Sequence, residues 1–113
     1  MGLQWMKEFL GNCTGCTVDA IALHWYSDYA PDLQNHIQQA YSMFNKPIWV
    51  TEFELTGATD AATESFMQSI MPWMDAQSYV QRYAYFGAFS GILLNSDASG
   101  LSTIGNTYVT TPY

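Results

Sequence analysis

The sequence predicts an α/β fold, a segment of the TIM (β/α)8 barrel type, and three observations carry that prediction. Short apolar runs alternate with segments whose apolar residues recur at helical spacing, an αβαβαβ order that implies a parallel sheet with right-handed crossovers. No glycine-rich phosphate loop follows any of the runs, which disfavours an open doubly wound sheet. Polar and aromatic residues gather at all three strand C-termini (His24-Trp25-Tyr26, Glu52-Phe53-Glu54 and Tyr85-Phe86), the end where barrel enzymes build their sites. A complete barrel takes about 200 residues or more, so a chain of 113 holds only about three β/α units. Its open sheet edges then require cover, from another chain or by self-association.

Each element has its own justification. Leu3, Met6, Phe9 and Leu10 share one helical face, and Gly11-Asn12 stops that helix. Val18 to Tyr26 is a nearly continuous apolar run and reads as a buried strand. Asp28 to Pro31 supplies helix-start chemistry, and Leu33, Ile37, Ala40, Tyr41 and Phe44 follow as an amphipathic stripe. Asn45-Lys46-Pro47 breaks this helix before the strand Ile48 to Phe53, rich in β-branched and aromatic residues. Gly57 and Thr59-Asp60 mark a loop and cap. Phe66, Ile70, Trp73 and Met74 form the next stripe, which Pro72 is expected to kink or interrupt. Val80 to Phe89 is the third strand, and a tail rich in Ser, Thr, Gly and Asn begins at Asn95. Trp5, Trp49 and Trp73 each fall in a strand or helix stripe and read as core.

Composition narrows the ligand. The chain is 49% hydrophobic and 16% aromatic, enough for a packed core. Ten acidic against three basic residues give a net charge of -7, which repels a phosphate backbone and anionic lipid, so neither nucleic acid nor membrane is expected as a partner. No apolar run reaches the roughly 20 residues of a membrane helix. The start Met1 to Glu8 lacks a signal-peptide core, so the signal of a secreted form would lie upstream. A surface that is polar, uncharged and aromatic suits neutral ligands such as sugars.

The strand Pro47 to Glu54 delivers a carboxylate, Glu52, after residues that resist solvation. Alternation places Glu52 with Val50 and Glu54 on one face, and His24 with Tyr26 on one face of the preceding strand. If both faces point to the barrel mouth, His24, Tyr26 and Glu52 converge, and the phenol can donate to the carboxylate and keep it ionised, as a glycosidase nucleophile requires. A surface carboxylate at a strand end is the competing reading. Glu54, on the same strand as Glu52, would reach a sugar from the same side, so it suits a substrate hydrogen bond better than the acid role. His24 reads either as a hydrogen-bonded core histidine or as a ligand contact. Trp25, Tyr26, Tyr85 and Phe86 are candidates for stacking on sugar rings.

Cys13 and Cys16 are spaced C-x-x-C, which allows a disulfide, a reduced pair, a redox couple or half a zinc site. His24 and His36 match no finger spacing, so no metal is expected. The pair lies between a helix and the strand after it, the reverse of a thioredoxin-like arrangement.

Read in order, Cys13 to Asp19, His24-Trp25-Tyr26, Pro47 to Phe53 and Arg82 to Gly87 resemble the glycoside hydrolase family 128 catalytic core, a family of mostly fungal β-1,3-glucanases and cell-wall glucan-binding relatives. Leu101 to Tyr108 resembles that family's closing segment. The resemblance implies that residues 1–113 are the C-terminal part of a (β/α)8 catalytic domain, covering its last three β/α units. It implies retaining hydrolysis of β-1,3-glucan with Glu52 as nucleophile, no cofactor, and a secreted or cell-wall location. The family's acid/base Glu, usually within an Asn-Glu pair on the fourth barrel strand, has no counterpart here. The isolated chain is therefore expected to hydrolyse poorly or not at all; the alternative is a non-catalytic glucan-binding or assembly module.

Overall fold

The structure, a computed structural model, describes residues 2–112. Four helices, α1 (Gly2–Asn12), α2 (Pro31–Phe44), α3 (Asp60–Asp75) and α4 (Thr103–Thr110), accompany three strands, β1 (Ile21–Ser27), β2 (Ile48–Leu55) and β3 (Val80–Tyr85). The strands form one open parallel sheet in the order β1-β2-β3.

Local chemistry accounts for the helix ends. Pro31 opens α2 in its first turn, and Asn45, left-handed at φ 48°, closes it by donating its N–H to the Tyr41 carbonyl at 2.8 Å. The start falls three residues beyond Asp28, with Ala30 as a cap that makes no side-chain hydrogen bond. Thr59 caps α3 by accepting the Ala62 N–H at 3.3 Å. Pro72 does not interrupt α3, which continues to Asp75. It sits in the last turn, where its ring removes only the bond to the Gln68 carbonyl, and its own carbonyl accepts from Ala76 at 3.1 Å.

Two features depart from expectation. β3 ends at Tyr85, because Phe86 and Gly87 turn the chain into a long loop. The polar tail contains α4, which Ser102 caps by accepting the Gly105 N–H at 3.0 Å. A Thr107 hydroxyl donating to Glu64 at 3.0 Å fastens α4 to α3. Gly105 permits this docking, since a Cβ there would lie 2.0 Å from the Leu93 carbonyl oxygen.

The sheet has one covered and one open face. Leu23 and Trp25 of β1, Val50, Phe53 and Leu55 of β2, and Tyr85 of β3 form a core with Leu33, Ile37, Phe66, Ile70 and Met74 of α2 and α3. Trp25 stacks on Phe66, and Phe53 meets Phe66, Tyr83 and Tyr85 edge to face. On the opposite face Ala22, His24, Tyr26, Trp49 and Thr51 are exposed. Trp49 and Trp5 are thus not core residues: Arg82 lies over the Trp49 ring at 5.4 Å, and Trp5 stacks on Phe9 on the surface of α1. Trp73 packs against the core, as its stripe implies.

A bulge in β2 sets the faces. Leu23 pairs with Val50 but His24 with Glu52, and on the other side Val50 pairs with Tyr83 but Phe53 with Tyr85, so beyond Val50 β2 carries one residue more than either neighbour; nearer its start β3 has the extra residue, Ile48 pairing with Val80 but Trp49 with Arg82. Burial follows the slip: Ile48 and Val50 are inside, then Phe53 and Leu55. The Thr51 hydroxyl donates to the Leu23 carbonyl at 3.3 Å and clips the extra residue to β1.

Candidate active site

Because a one-residue slip exchanges the two faces of a strand, the bulge decides where Glu52 points. Strict alternation groups Glu52 with Val50, which is fully buried beneath the helices. With the slip, Glu52 and Glu54 leave that face and join His24 and Tyr26 on the open one. The grouping of Glu52 with Val50 is therefore corrected, and its grouping with Glu54 stands.

At this point three side chains meet. The Tyr26 hydroxyl donates a short hydrogen bond to Glu52 Oε2, and His24 Nδ1 approaches the same oxygen at 3.3 Å. Glu52 is about one-third exposed and His24 rather more than half, so the cluster is open to a ligand. Both contacts are to Oε2, and among the described residues no hydrogen bond reaches Glu52 Oε1. The Tyr26 phenol is pushed up to about 12 by desolvation, then by its bond to Glu52, the Glu52 charge and the Glu54 charge. It thus stays protonated, and remains a donor, across the pH range of ordinary hydrolases.

Phe86 joins this group by an edge-to-face contact with Tyr26, ring centroids 5.5 Å apart. Glu54 pairs in register with Tyr26 at the strand ends. Two proposed sugar contacts lie elsewhere. Trp25 and Tyr85 are 7% and 6% exposed on the helix-covered face, because the residues alternating with His24, Tyr26 and Phe86 must point inward. Burial, then the Glu54 charge, pushes the Tyr85 phenol up to about 12, opposed by bonds from the Leu55 backbone and the Thr63 hydroxyl. Both residues are corrected from sugar platforms to core.

Sequence reasoning missed Thr51, whose signal is the three-residue step from Val50 to Phe53 where a strand expects two or four. It also absorbed Phe89 into a strand; this residue sits beyond the strand end, 54% exposed and edge to face with Phe86 at 5.4 Å. Cys13 and Cys16 are joined in a disulfide in the loop between α1 and β1. Among the described residues no three His, Cys, Asp or Glu side chains cluster as cation ligands, and no helix is long and apolar enough to cross a membrane.

Comparison with known proteins gives the family. The glycosyl hydrolase catalytic core family matches residues 1–108. Alkali-sensitive linkage protein 1 of Schizosaccharomyces pombe is 31% identical over 123 aligned residues, covering 96% of this chain and 23% of that protein. A family 128 (subgroup II) endo-β-1,3-glucanase from Sorangium cellulosum superposes with a TM-score of 0.87 at 29% identity, over 97% of this chain and 48% of the glucanase. A curdlan-specific exo-β-1,3-glucanase (subgroup III) from Blastomyces gilchristii, solved with glucose, gives 0.81 at 32% identity over 96% and 48%. The chain thus spans about half the length of these solved relatives. With a family match along nearly its whole length and a fold shared with both glucanases, the chain belongs to the glycoside hydrolase family 128 catalytic core and covers part of it.

Proposed function

We propose that this chain is the C-terminal part of a retaining β-1,3-glucan hydrolase, that its three strands are the last of a (β/α)8 barrel, and that Glu52 is the nucleophile. The observation that carries the reading is the convergence of Tyr26 and His24 on one oxygen of Glu52 at the C-terminal end of a parallel sheet. Two groups hold Oε2, and Oε1 is left to attack an anomeric carbon. In that step the carboxylate forms a bond to the sugar carbon as the glycosidic C–O bond breaks, and a general acid gives its proton to the departing oxygen; water then releases the sugar from Glu52. His24, Tyr26, Glu54 and Phe86 position the sugar or the nucleophile. The disulfide fits a secreted or cell-wall location.

The acid is the missing part. Neither β1 nor β3 carries a carboxylate, and Glu54 shares a strand with Glu52. General acid–base assistance contributes about 10²–10⁴-fold in rate, so the chain alone should bind glucan and hydrolyse it poorly. This same observation favours the second reading, a non-catalytic glucan-binding or assembly module that needs no acid. Titration of laminari-oligosaccharides into the chain, with reducing ends counted in parallel, tests what both readings share. Binding with little or no release is expected, and absence of binding would remove both. In a protein joining this segment to the preceding barrel strands, Glu52→Gln should abolish hydrolysis with the fold intact; retained activity would refute the nucleophile.

A further inference from the structure

We propose that Phe89 is a stacking platform for a second glucosyl ring, next along the chain from the one at Glu52, and that it sets the preference for longer glucans. The inference rests on the glucan reading above. Phe89 is 54% exposed, yet it is held firmly. Its N–H donates to the Gly87 carbonyl at 2.7 Å, and its own carbonyl accepts from Ile92 and Leu94, each at 3.1 Å. The ring rests on Gly87 so closely that a Cβ there would stand 2.6 Å from Phe89 Cε2. An exposed aromatic ring fixed by backbone bonds and a close glycine is prepared for contact before any ligand arrives, which lowers the entropic cost of binding.

Its position gives the direction. Phe89 meets Phe86 at 5.4 Å and Phe86 meets Tyr26 at 5.5 Å, both edge to face, and Tyr26 donates to Glu52. The row of rings therefore leads outward from the carboxylate. Two other exposed rings do not join it: Trp5 and Phe9 stack on each other on α1. A β-linked glucosyl ring presents a flat array of C–H bonds that an aromatic face can cover, and it carries no charge for an acidic chain to repel.

The test is calorimetric titration of the 113-residue chain with laminaribiose and laminaripentaose. Phe89→Ala should weaken pentaose binding about tenfold, the scale of one good aromatic contact, and leave biose within about twofold. Phe89→Trp should preserve both affinities. Gly87→Ala displaces the ring without removing it, and should reproduce the selective loss. Circular dichroism checks that each variant is folded. Equal loss for both sugars, or no loss for either, would overturn the platform while leaving the glucan reading intact. Failure of the parent chain to bind either sugar would overturn that reading, and the platform with it.

Discussion

Tyr26 and Glu52 are coupled through one oxygen, and the coupling is open to direct titration. Tyr26 has a folded pKa of about 12, above its ordinary 10.0, so its phenolate should appear roughly two units late in an absorbance titration. The Tyr26→Phe difference spectrum isolates this one phenol. Glu52→Gln removes the charge and leaves at most a neutral hydrogen bond, while desolvation and the Glu54 charge remain, so the Tyr26 titration should move part of the way down and stop above the ordinary value. An unmoved titration would show that the two groups do not touch. At this scale the sequence was largely legible: alternation alone puts His24 beside Tyr26. It could not show Trp25 and Tyr85 turned inward, since an aromatic at a strand end suits a ligand or a helix equally well, and only the sheet's cover decides.

The bulge in β2 is the element on which the site depends. Hydrophobic alternation reveals the existence of a strand but says nothing about an inserted residue, so the sequence supported a grouping of Glu52 with Val50 that the structure reverses. Deleting Thr51 should restore continuous pairing with the faces unchanged, since Glu52 then directly follows the buried Val50 and stays opposite His24 on the open face, with Phe53 and Leu55 inside. Retained oligosaccharide binding is expected, because the extra residue acts by setting the face of Glu52; loss of binding in a folded variant would refute that role. Thr51→Val removes only the clip to the Leu23 carbonyl and should cost about 1 kcal/mol, measured by urea unfolding. At α4, Gly105→Ala sets a methyl group against the Leu93 carbonyl and should cost about 3 kcal/mol. The helix was hidden because Ile104 and Tyr108 are its main apolar residues in a polar tail. The cap at Ser102 was the available signal.

For the molecule as a whole, the covered face stabilises the fold and the open face carries the proposed site. Tyr85 gives the covered face a pH signature. Its folded pKa of about 12 exceeds the unfolded 10.0, so its contribution is full below pH 10 and disappears as pH rises towards 12. A shift of about two units corresponds to roughly 3 kcal/mol for this buried group. Unfolding midpoints should therefore fall steeply between pH 10 and 12, and Tyr85→Phe should flatten that slope. The alternation of helices and strands made the parallel sheet readable from sequence. That the other face stays open was not readable, because nearly continuous apolar runs such as Val18 to Tyr26 suggest cover on both faces. The central claim, that Glu52 is a nucleophile lacking its acid, is tested most directly with an activated donor whose leaving group needs no proton. Incubation with dinitrophenyl β-laminaribioside should release dinitrophenolate and leave one disaccharide esterified to Glu52, located by peptide mass spectrometry and absent in Glu52→Gln. A chain that binds the donor but gains no mass, or gains it at another residue, would contradict the account.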